Sequence, residues 1–221
     1  MKKTLLMTIF VFGVCSSIQA GTCPLSATLA TYDGAGFTCN IGGLDFSGFQ
    51  YTPTGHNAPL DSAVTVKTQT GTESGLIFDA GWAAGSGNEQ DSLIQYTVTC
   101  DGCSITDMIL KMGGDFAAGN SFINVAETED NGLVPGLGIE DVGMGKVINS
   151  AMETFGPEST LQLSKDIHID GGNSGDSAGV STVSNLFSTN TQTTMSPEPS
   201  LLLLCVGGLS LLPVARKMRR A

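Results

Sequence analysis

Short runs of alternating apolar and polar residues, separated by glycine-rich turns, fill the middle of this chain. Between Leu76 and Trp82 apolar side chains occupy every second position, which is the period of a strand with one buried face. Similar runs span 64–67, 92–100, 104–112, 121–127, 146–155 and 160–169. Asp-Gly, Asn-Gly and Gly-Gly pairs, which favour tight turns, separate these runs. The pattern predicts an all-β domain, an antiparallel β-sandwich of the jelly-roll type.

Two features near the start of the domain need a separate interpretation. Residues 24–32 carry apolar side chains at helical spacing and predict a short helix. Phe46, Phe49 and Tyr51 are interpreted as core anchors of an early strand. Phe46 and Tyr51 fall on opposite faces of a regular strand, so they can share one only if a bulge at Gly48 resets the alternation.

The N-terminal twenty residues have the composition of a secretory signal helix. Lys2 and Lys3 precede an apolar run over 5–14, and small and polar residues lead to Ala20. Cleavage by signal peptidase is therefore expected after Ala20. Cleavage of a lipoprotein before Cys15 is the competing interpretation, and Val14 stands where that process requires a small residue.

The C-terminal residues combine an apolar stretch with a block of positive charge. Residues 201–215 are apolar but shorter than the roughly twenty residues of a conventional membrane-spanning helix. Positive charge near a membrane helix favours the cytoplasmic side, so the rest of the chain is expected outside the inner membrane. A short hydrophobic helix inserted transiently is the leading interpretation, and a permanent single-pass anchor is the alternative. The basic residues are Arg216, Lys217, Arg219 and Arg220.

Pro197-Glu198-Pro199 precedes this helix, and the three parts together resemble the PEP-CTERM sorting signal of Gram-negative bacteria. The resemblance implies recognition by an exosortase, removal of the tail, and delivery to the cell surface or to an exopolysaccharide matrix. Residues 23–99 also resemble a group of PEP-CTERM proteins of unassigned function. The expected organisation is a signal peptide over 1–20, a sandwich domain over 21–187, a Ser/Thr-rich spacer over 188–196 and the sorting signal over 197–221.

The charge of the chain is unevenly distributed. The whole sequence has a formal net charge of −11, but six of its ten basic residues lie in the two terminal segments. Between residues 21 and 196 there are four lysines, no arginine and twenty carboxylates, a net charge of −16. Such a surface repels polyanions, which argues against nucleic acid and anionic lipid surfaces as partners.

Four cysteines remain in the body of the chain, namely Cys23, Cys39, Cys100 and Cys103. Four thiols in an oxidising compartment allow three pairings, of which we favour Cys23 with Cys39 and Cys100 with Cys103. The second pair flanks Asp101-Gly102 between two strand-like runs, which is typical of a hairpin turn. Redox or metal chemistry at this CxxC spacing is the alternative.

Two acidic stretches are candidates for calcium binding. Asp170, Asn173 and Asp176 lie in a glycine-rich turn, and a second acidic turn spans 127–130. Calcium requires six to eight oxygen ligands, and flexible turns let the backbone supply some of them. The spacing does not match an EF-hand loop, so solvated loops are the competing interpretation. No other cofactor is expected.

Residues 175–179 resemble the nucleophile loop of chymotrypsin-like serine proteases, with Ser177 in the place of the nucleophile. His56 precedes the loop in the chain, but its surroundings differ from that family, and Ala178 replaces a glycine.

The leading prediction is therefore a non-enzymatic surface or matrix protein that contacts exopolysaccharide. The alternative is a secreted hydrolase, which requires His56 within hydrogen-bond reach of Ser177.

A carbohydrate site would combine an exposed aromatic ring with amides and carboxylates. Trp82, Asn88, Gln90 and Asp91 offer these side-chain types within one short region. Trp82, however, shares a strand face with Leu76 and Phe78, which favours a place in the core.

Overall fold

The computed structural model describes residues 20–145 and 147–191. The expected signal helix, sorting motif, basic cluster and C-terminal hydrophobic helix lie outside these residues. Within them, no helix has the length and apolar character needed to cross a bilayer.

The described chain is built almost entirely from strands. One four-residue α-helix and one 3-10 helix interrupt them near the N-terminus. The elements in chain order are β1 (Gly21–Thr22), β2 (Ser26–Thr28), α1 (Leu29–Tyr32), β3 (Thr38–Ile41), β4 (Leu44–Gly55), the 3-10 helix (Asp61–Ala63), β5 (Thr65–Gln69), β6 (Ser74–Gly85), β7 (Glu89–Cys100), β8 (Cys103–Gly113), β9 (Phe116–Ala118), β10 (Phe122–Glu129), β11 (Leu137–Val142), β12 (Val147–Ile148), β13 (Ser150–Glu158), β14 (Thr160–Asp170) and β15 (Ser177–Thr191).

These strands form two sheets packed face to face. Sheet A has the order β1-β3-β4-β7-β14-β10-β11-β12, and sheet B has the order β13-β8-β15-β6-β5-β2, with β9 paired to β15. Apart from the short β1–β3 contact, the strand pairs of the described chain are antiparallel. The predicted antiparallel β-sandwich is therefore confirmed.

The core lies between the sheets and is filled by the side chains that the alternation placed inward. Leu76, Phe78 and Trp82 of β6 are each at most 1% exposed. Phe78 lies 6.1 Å from the ring of Tyr96 on the facing sheet, a separation typical of favourable aromatic pairs. Burial of large apolar side chains from both sheets is the main stabilising contribution.

The bulge at Gly48 that Phe46 and Tyr51 would need in order to share a face is present. The pairing of β4 with β7 shifts register between Ser47 and Gln50, and Gly48 has a φ of +64°, which a residue with a side chain rarely adopts. Phe46 and Phe49 consequently both face the core although three positions separate them. Tyr51 is half-buried and packs against the same core.

The predicted helix over 24–32 is wrong in its first half. Only Leu29–Tyr32 is helical, whereas Ser26–Thr28 forms β2 and pairs with Thr65–Lys67 of β5. Leu25, which the helical interpretation placed on the apolar face, is 85% exposed. Pairing with the edge of sheet B satisfies the backbone groups of this segment, and that tertiary contact outweighs the local helical spacing.

Both favoured disulfides are present, Cys23–Cys39 and Cys100–Cys103. The first joins the N-terminal segment to β3, and the second closes the β7–β8 hairpin around Asp101 and Gly102. A thioredoxin-like role would require the CxxC pair at a helix N-terminus, and this pair lies in a hairpin. Two disulfides in a β-sandwich fit an extracellular protein.

Two boundaries differ from the sequence-based expectation. Strand β15 continues to Thr191, four residues past the expected end of the domain at 187, because its polar residues 188–191 pair with the backbone of β8. Strand β11, Leu137–Val142, was not predicted, because glycines surround its short apolar alternation. In both places backbone pairing, which is independent of side-chain polarity, decides the structure.

Candidate binding face

The outward surface of sheet A carries polar side chains across its four central strands, β4, β7, β14 and β10. In these strands Lys165 is the only basic residue besides histidine, and it points inward. The outward positions therefore present hydroxyls, amides and carboxylates without a positive ammonium or guanidinium group. We call this surface the sheet A face; its polar residues are Gln50, Thr52, Thr54, Asp91, Gln95, Thr97, Asn124, Thr128, Gln162, Ser164, Asp166 and His168.

Strand register arranges these side chains in rows that cross the sheet. One row contains Gln50, Gln95, Ser164 and Thr128, and the amide nitrogen of Gln95 donates a hydrogen bond to the Ser164 hydroxyl at 3.0 Å. Directly opposed residues in an antiparallel pair have Cβ atoms about 4.5–5.5 Å apart. An extended ligand lying along such a row would meet a polar group on each successive strand.

A second row contains a hydrogen-bonded histidine. Asp91 lies opposite His168, and Asp91 Oδ1 is 2.5 Å from His168 Nδ1. The ring of Phe122 lies 5.2 Å from the imidazole. His168 is thus an outward strand residue. Burial raises the pKa of neighbouring Asp166; the charge of Asp91 adds to this effect and His168 opposes it.

A pocket of about 160 Å³ opens on this face beside the β4 bulge. It is smaller than the roughly 300–1,000 Å³ of typical small-molecule sites, so it would hold only part of an extended ligand. Gly48 leaves its rim without a side chain. The pocket is lined by Gly48, Gln50, Gln95, Tyr96, Thr97, Asp130, Gln162 and Leu163.

The calcium candidates lie in a loop whose carboxylates already hold the backbone. Asp176 Oδ2 accepts hydrogen bonds from the backbone N–H of Asn120 and Asn173 at 3.0 and 3.1 Å, and Asp170 Oδ1 accepts one from Gly172 at 2.7 Å. Within residues 20–145 and 147–191, no three His, Cys, Asp or Glu side chains converge as metal ligands. Calcium at Asp170, Asn173 and Asp176 stays a prediction.

The second acidic stretch is not a solvated turn throughout. Glu127 and Glu129 lie on β10 and point into the protein. Glu129 accepts hydrogen bonds from the backbone N–H of Asn131 at 3.0 Å and Leu133 at 2.8 Å, so its carboxylate closes the following turn. Glu127 pairs with Lys165 in the core.

No hydrogen bond joins the His56 ring to the Ser177 hydroxyl in the part of the chain that the structure describes. Ser177 begins β15, where its carbonyl accepts a hydrogen bond from the Ser121 hydroxyl at 2.8 Å. Gly175 donates its backbone N–H to the Ser86 hydroxyl at 2.8 Å. The contacts of this protease-like loop are those of a structural turn.

Trp82 is not an exposed platform for sugar. It is 1% exposed, and its indole N–H donates to the Ser92 hydroxyl at 3.2 Å in the core. Gln90 is also fully buried, whereas Asp91 lies on the sheet A face. The outward residues around the pocket were missed because the register between distant strands assembles them. Their only local signal was the polar half of each alternating run.

Comparison with known proteins identifies no family for this chain. No protein-family model and no curated protein matches the sequence. Among solved structures, TmCBM61 in complex with beta-1,4-galactotriose aligns with a TM-score of 0.33 and 12% identity, covering 61% of this chain and 86% of that chain.

Two further structures align over part of the chain. The enzymatically active domain of tailspike protein 4 from bacteriophage CBA120 has a TM-score of 0.28 and 12% identity, over 66% of this chain and 20% of that one. A structure from a study of carbohydrate-binding modules of the beta-sandwich superfamily has a TM-score of 0.25 and 14% identity. The alignment covers 77% of this chain and 63% of that chain. Similarity at this level does not identify a function.

Proposed function

We propose that this chain is an exported, non-enzymatic surface or matrix protein that binds polysaccharide on the sheet A face. The arrangement of polar rows around the pocket carries the proposal. Sugar hydroxyls donate and accept hydrogen bonds, and the amides of Gln50, Gln95 and Gln162 do both. A glycan chain is extended, so it would contact several strands while one sugar unit entered the pocket.

The charge of the protein narrows the class of polysaccharide. The body of the chain carries a net charge of −16, and the sheet A face has carboxylates but no lysine or arginine. An acidic polysaccharide would be repelled by this surface. We therefore propose that the ligand is a neutral polysaccharide, which the protein binds through hydrogen bonds to the hydroxyl groups of the sugar.

Binding is expected to depend on the exposed pocket amides. Replacing both Gln50 and Gln162 with alanine should weaken binding to a neutral polysaccharide by a factor between about 5 and 150, because each lost hydrogen bond contributes about 0.5–1.5 kcal/mol. Both side chains are exposed, so the fold should be unaffected. Affinity electrophoresis in gels that contain a panel of neutral polysaccharides measures the effect.

The matched control is Gln69→Ala on β5 of sheet B, which removes the same chemical group from the other sheet. This variant should migrate as the unmodified protein does in every gel. If the unmodified protein, the Gln50/Gln162 double variant and the Gln69 variant were all retarded equally, the polysaccharide would not be bound by Gln50 and Gln162. Absence of retardation of the unmodified protein across the panel would reject the binding proposal.

Sorting by exosortase is the second part of the proposal, and it rests on the resemblance of residues 197–221 to the PEP-CTERM signal. Signal peptidase would act first and exosortase second, with a transient stay in the inner membrane. Oxidised Cys23–Cys39 and Cys100–Cys103 support passage to an oxidising compartment. The proposed destination is the cell surface or the extracellular matrix.

Intact-mass spectrometry of protein recovered from culture, surface and matrix fractions of an exosortase-containing Gram-negative host tests this route. The unmodified chain is expected to lack residues 1–20 and the apolar C-terminal tail. A Pro197→Ala/Pro199→Ala variant should keep the tail, whereas Thr193→Ala in the spacer should not. Retention of residues 201–221 by the unmodified chain in every fraction would contradict sorting.

A further inference from the structure

The core of the sandwich contains an ion pair between two adjacent strands of sheet A. Lys165 on β14 lies opposite Glu127 on β10, and the lysine amine contacts the glutamate carboxylate. Both side chains are completely removed from solvent. Glu127 Oε1 has no hydrogen-bond partner in the described part of the chain. The attraction within a buried ion pair offsets the lost hydration of the two charges only when their remaining hydrogen-bonding groups also have partners. In this pair one carboxylate oxygen has none.

Asn185 projects into the same core from the centre of sheet B. It is completely buried on β15, where it lies between Leu76 of β6 and Leu110 of β8. Among residues 20–145 and 147–191, neither the oxygen nor the nitrogen of its side-chain amide finds a hydrogen-bond partner. Buried side-chain amides are almost always hydrogen bonded, so this one requires an explanation.

Contacts across the core bring these groups toward a common neighbour, Tyr96. Two residues before Asn185, Val183 pairs with Phe78, and the Phe78 ring lies 6.1 Å from Tyr96. Burial raises the pKa of Tyr96, and the nearby charge of Glu127 raises it further. The part of sheet B around Asn185 therefore faces Tyr96, and the buried charge of Glu127 on sheet A acts on the same side chain.

We propose that Lys165 and Asn185 form an intramolecular isopeptide bond that joins the two sheets, with Glu127 as the proton acceptor. The amine nitrogen of Lys165 attacks Cγ of Asn185, and a new Nζ–Cγ bond forms. The Cγ–Nδ2 bond breaks and ammonia leaves. Glu127 takes a proton from the attacking amine and returns it to the departing nitrogen. No atom is oxidised or reduced, and no cofactor takes part.

The environment of Lys165 favours this chemistry. An amine attacks a carbonyl carbon only in its neutral form. Burial lowers the pKa of Lys165, while the adjacent Glu127 opposes that shift. Once the bond has formed, the core contains a neutral secondary amide in place of a charged amine and an unpartnered primary amide. A covalent link between the sheets would suit an exported protein that must stay folded without the help of the cell.

Peptide mapping of the protein recovered after export tests the proposal. After reduction of the disulfides, cleavage before each aspartate separates the two residues, because Lys165 ends the 141–165 peptide and Asn185 lies in the peptide that begins at Asp176. The expected result is a branched species with the summed mass of these peptides less one ammonia. Recovery of the two peptides separately from folded protein would overturn the proposal.

Two controls distinguish this bond from other losses of ammonia. A succinimide at Asn131-Gly132 would lose the same mass, but it lies in the 130–140 peptide and forms no branch. Asn185→Ala and Lys165→Met should each yield unbranched peptides at their full calculated masses. If either variant fails to fold, the peptide map of the unmodified protein still tests for the isopeptide bond, because that measurement requires no substitution.

Discussion

Replacing Trp82 with alanine is expected to lower the free energy of unfolding by about 3–5 kcal/mol, the range for removing a large aromatic side chain from a packed core. Trp82 is 1% exposed and donates its indole N–H to Ser92. Alanine would leave a cavity and remove this hydrogen bond. A domain of this size has only about 5–15 kcal/mol of stability, so a large share would be lost.

Urea unfolding followed by far-UV circular dichroism measures this effect, because Trp82 is the single tryptophan and fluorescence would be lost with it. Leu60→Ala is the control, since Leu60 is 65% exposed and should change stability by no more than about 0.5 kcal/mol. Equal midpoints for the two variants would place Trp82 outside the core. If the Trp82 variant kept its stability but no longer bound polysaccharide, Trp82 would instead be a residue that stacks against sugar.

Replacing Gly75 with alanine should also destabilise the sandwich, by about 3 kcal/mol, the upper end of the usual cost of overpacking. A Cβ atom at this position would lie 2.0 Å from the backbone oxygen of Asn185 and 2.9 Å from Cα of Leu186. Both obstacles are backbone atoms of β15, so no side chain can rotate away. The β6–β15 pairing would have to open locally.

Gly81→Ala in the same strand is the matched control. A Cβ atom there meets nothing within 4 Å, so this variant should keep its stability or gain slightly from a less flexible unfolded chain. Thermal unfolding of the two variants side by side measures the difference. If the Gly75 and Gly81 variants unfold at the same temperature, β6 and β15 are not packed as closely as described.

Most of the fold could be predicted from local patterns. The alternation over 76–82 identifies the buried face of β6, and Asp101-Gly102 between two cysteines identifies the β7–β8 hairpin with its disulfide. Such features depend on residues close in sequence, where strand geometry and turn chemistry act directly. The helix expected from residue 24 failed because pairing of 26–28 with a distant strand outweighed local spacing.

The candidate binding face could be predicted only in part. Asp91 and His168 were each visible as polar residues on alternating strands, but their contact joins positions 77 residues apart. Gln50 and Gln162 belong to strands that do not even neighbour each other, since β7 lies between them. Rows of side chains across a sheet depend on strand order, which no single stretch of sequence encodes.

The amino-acid sequence by itself determined which residues face inward along most of the long strands and where the chain turns between them, because these features follow from period-two geometry and short loops. Only the tertiary structure decided which strands lie side by side and which side chains meet across the core. In the sequence Lys165 lies in an ordinary alternating run, but in the folded protein it is a buried partner of Glu127. Asn185 is buried on the facing sheet. The physical reason is that packing between sheets joins residues remote in sequence, and that contact exists only once the sheets have closed.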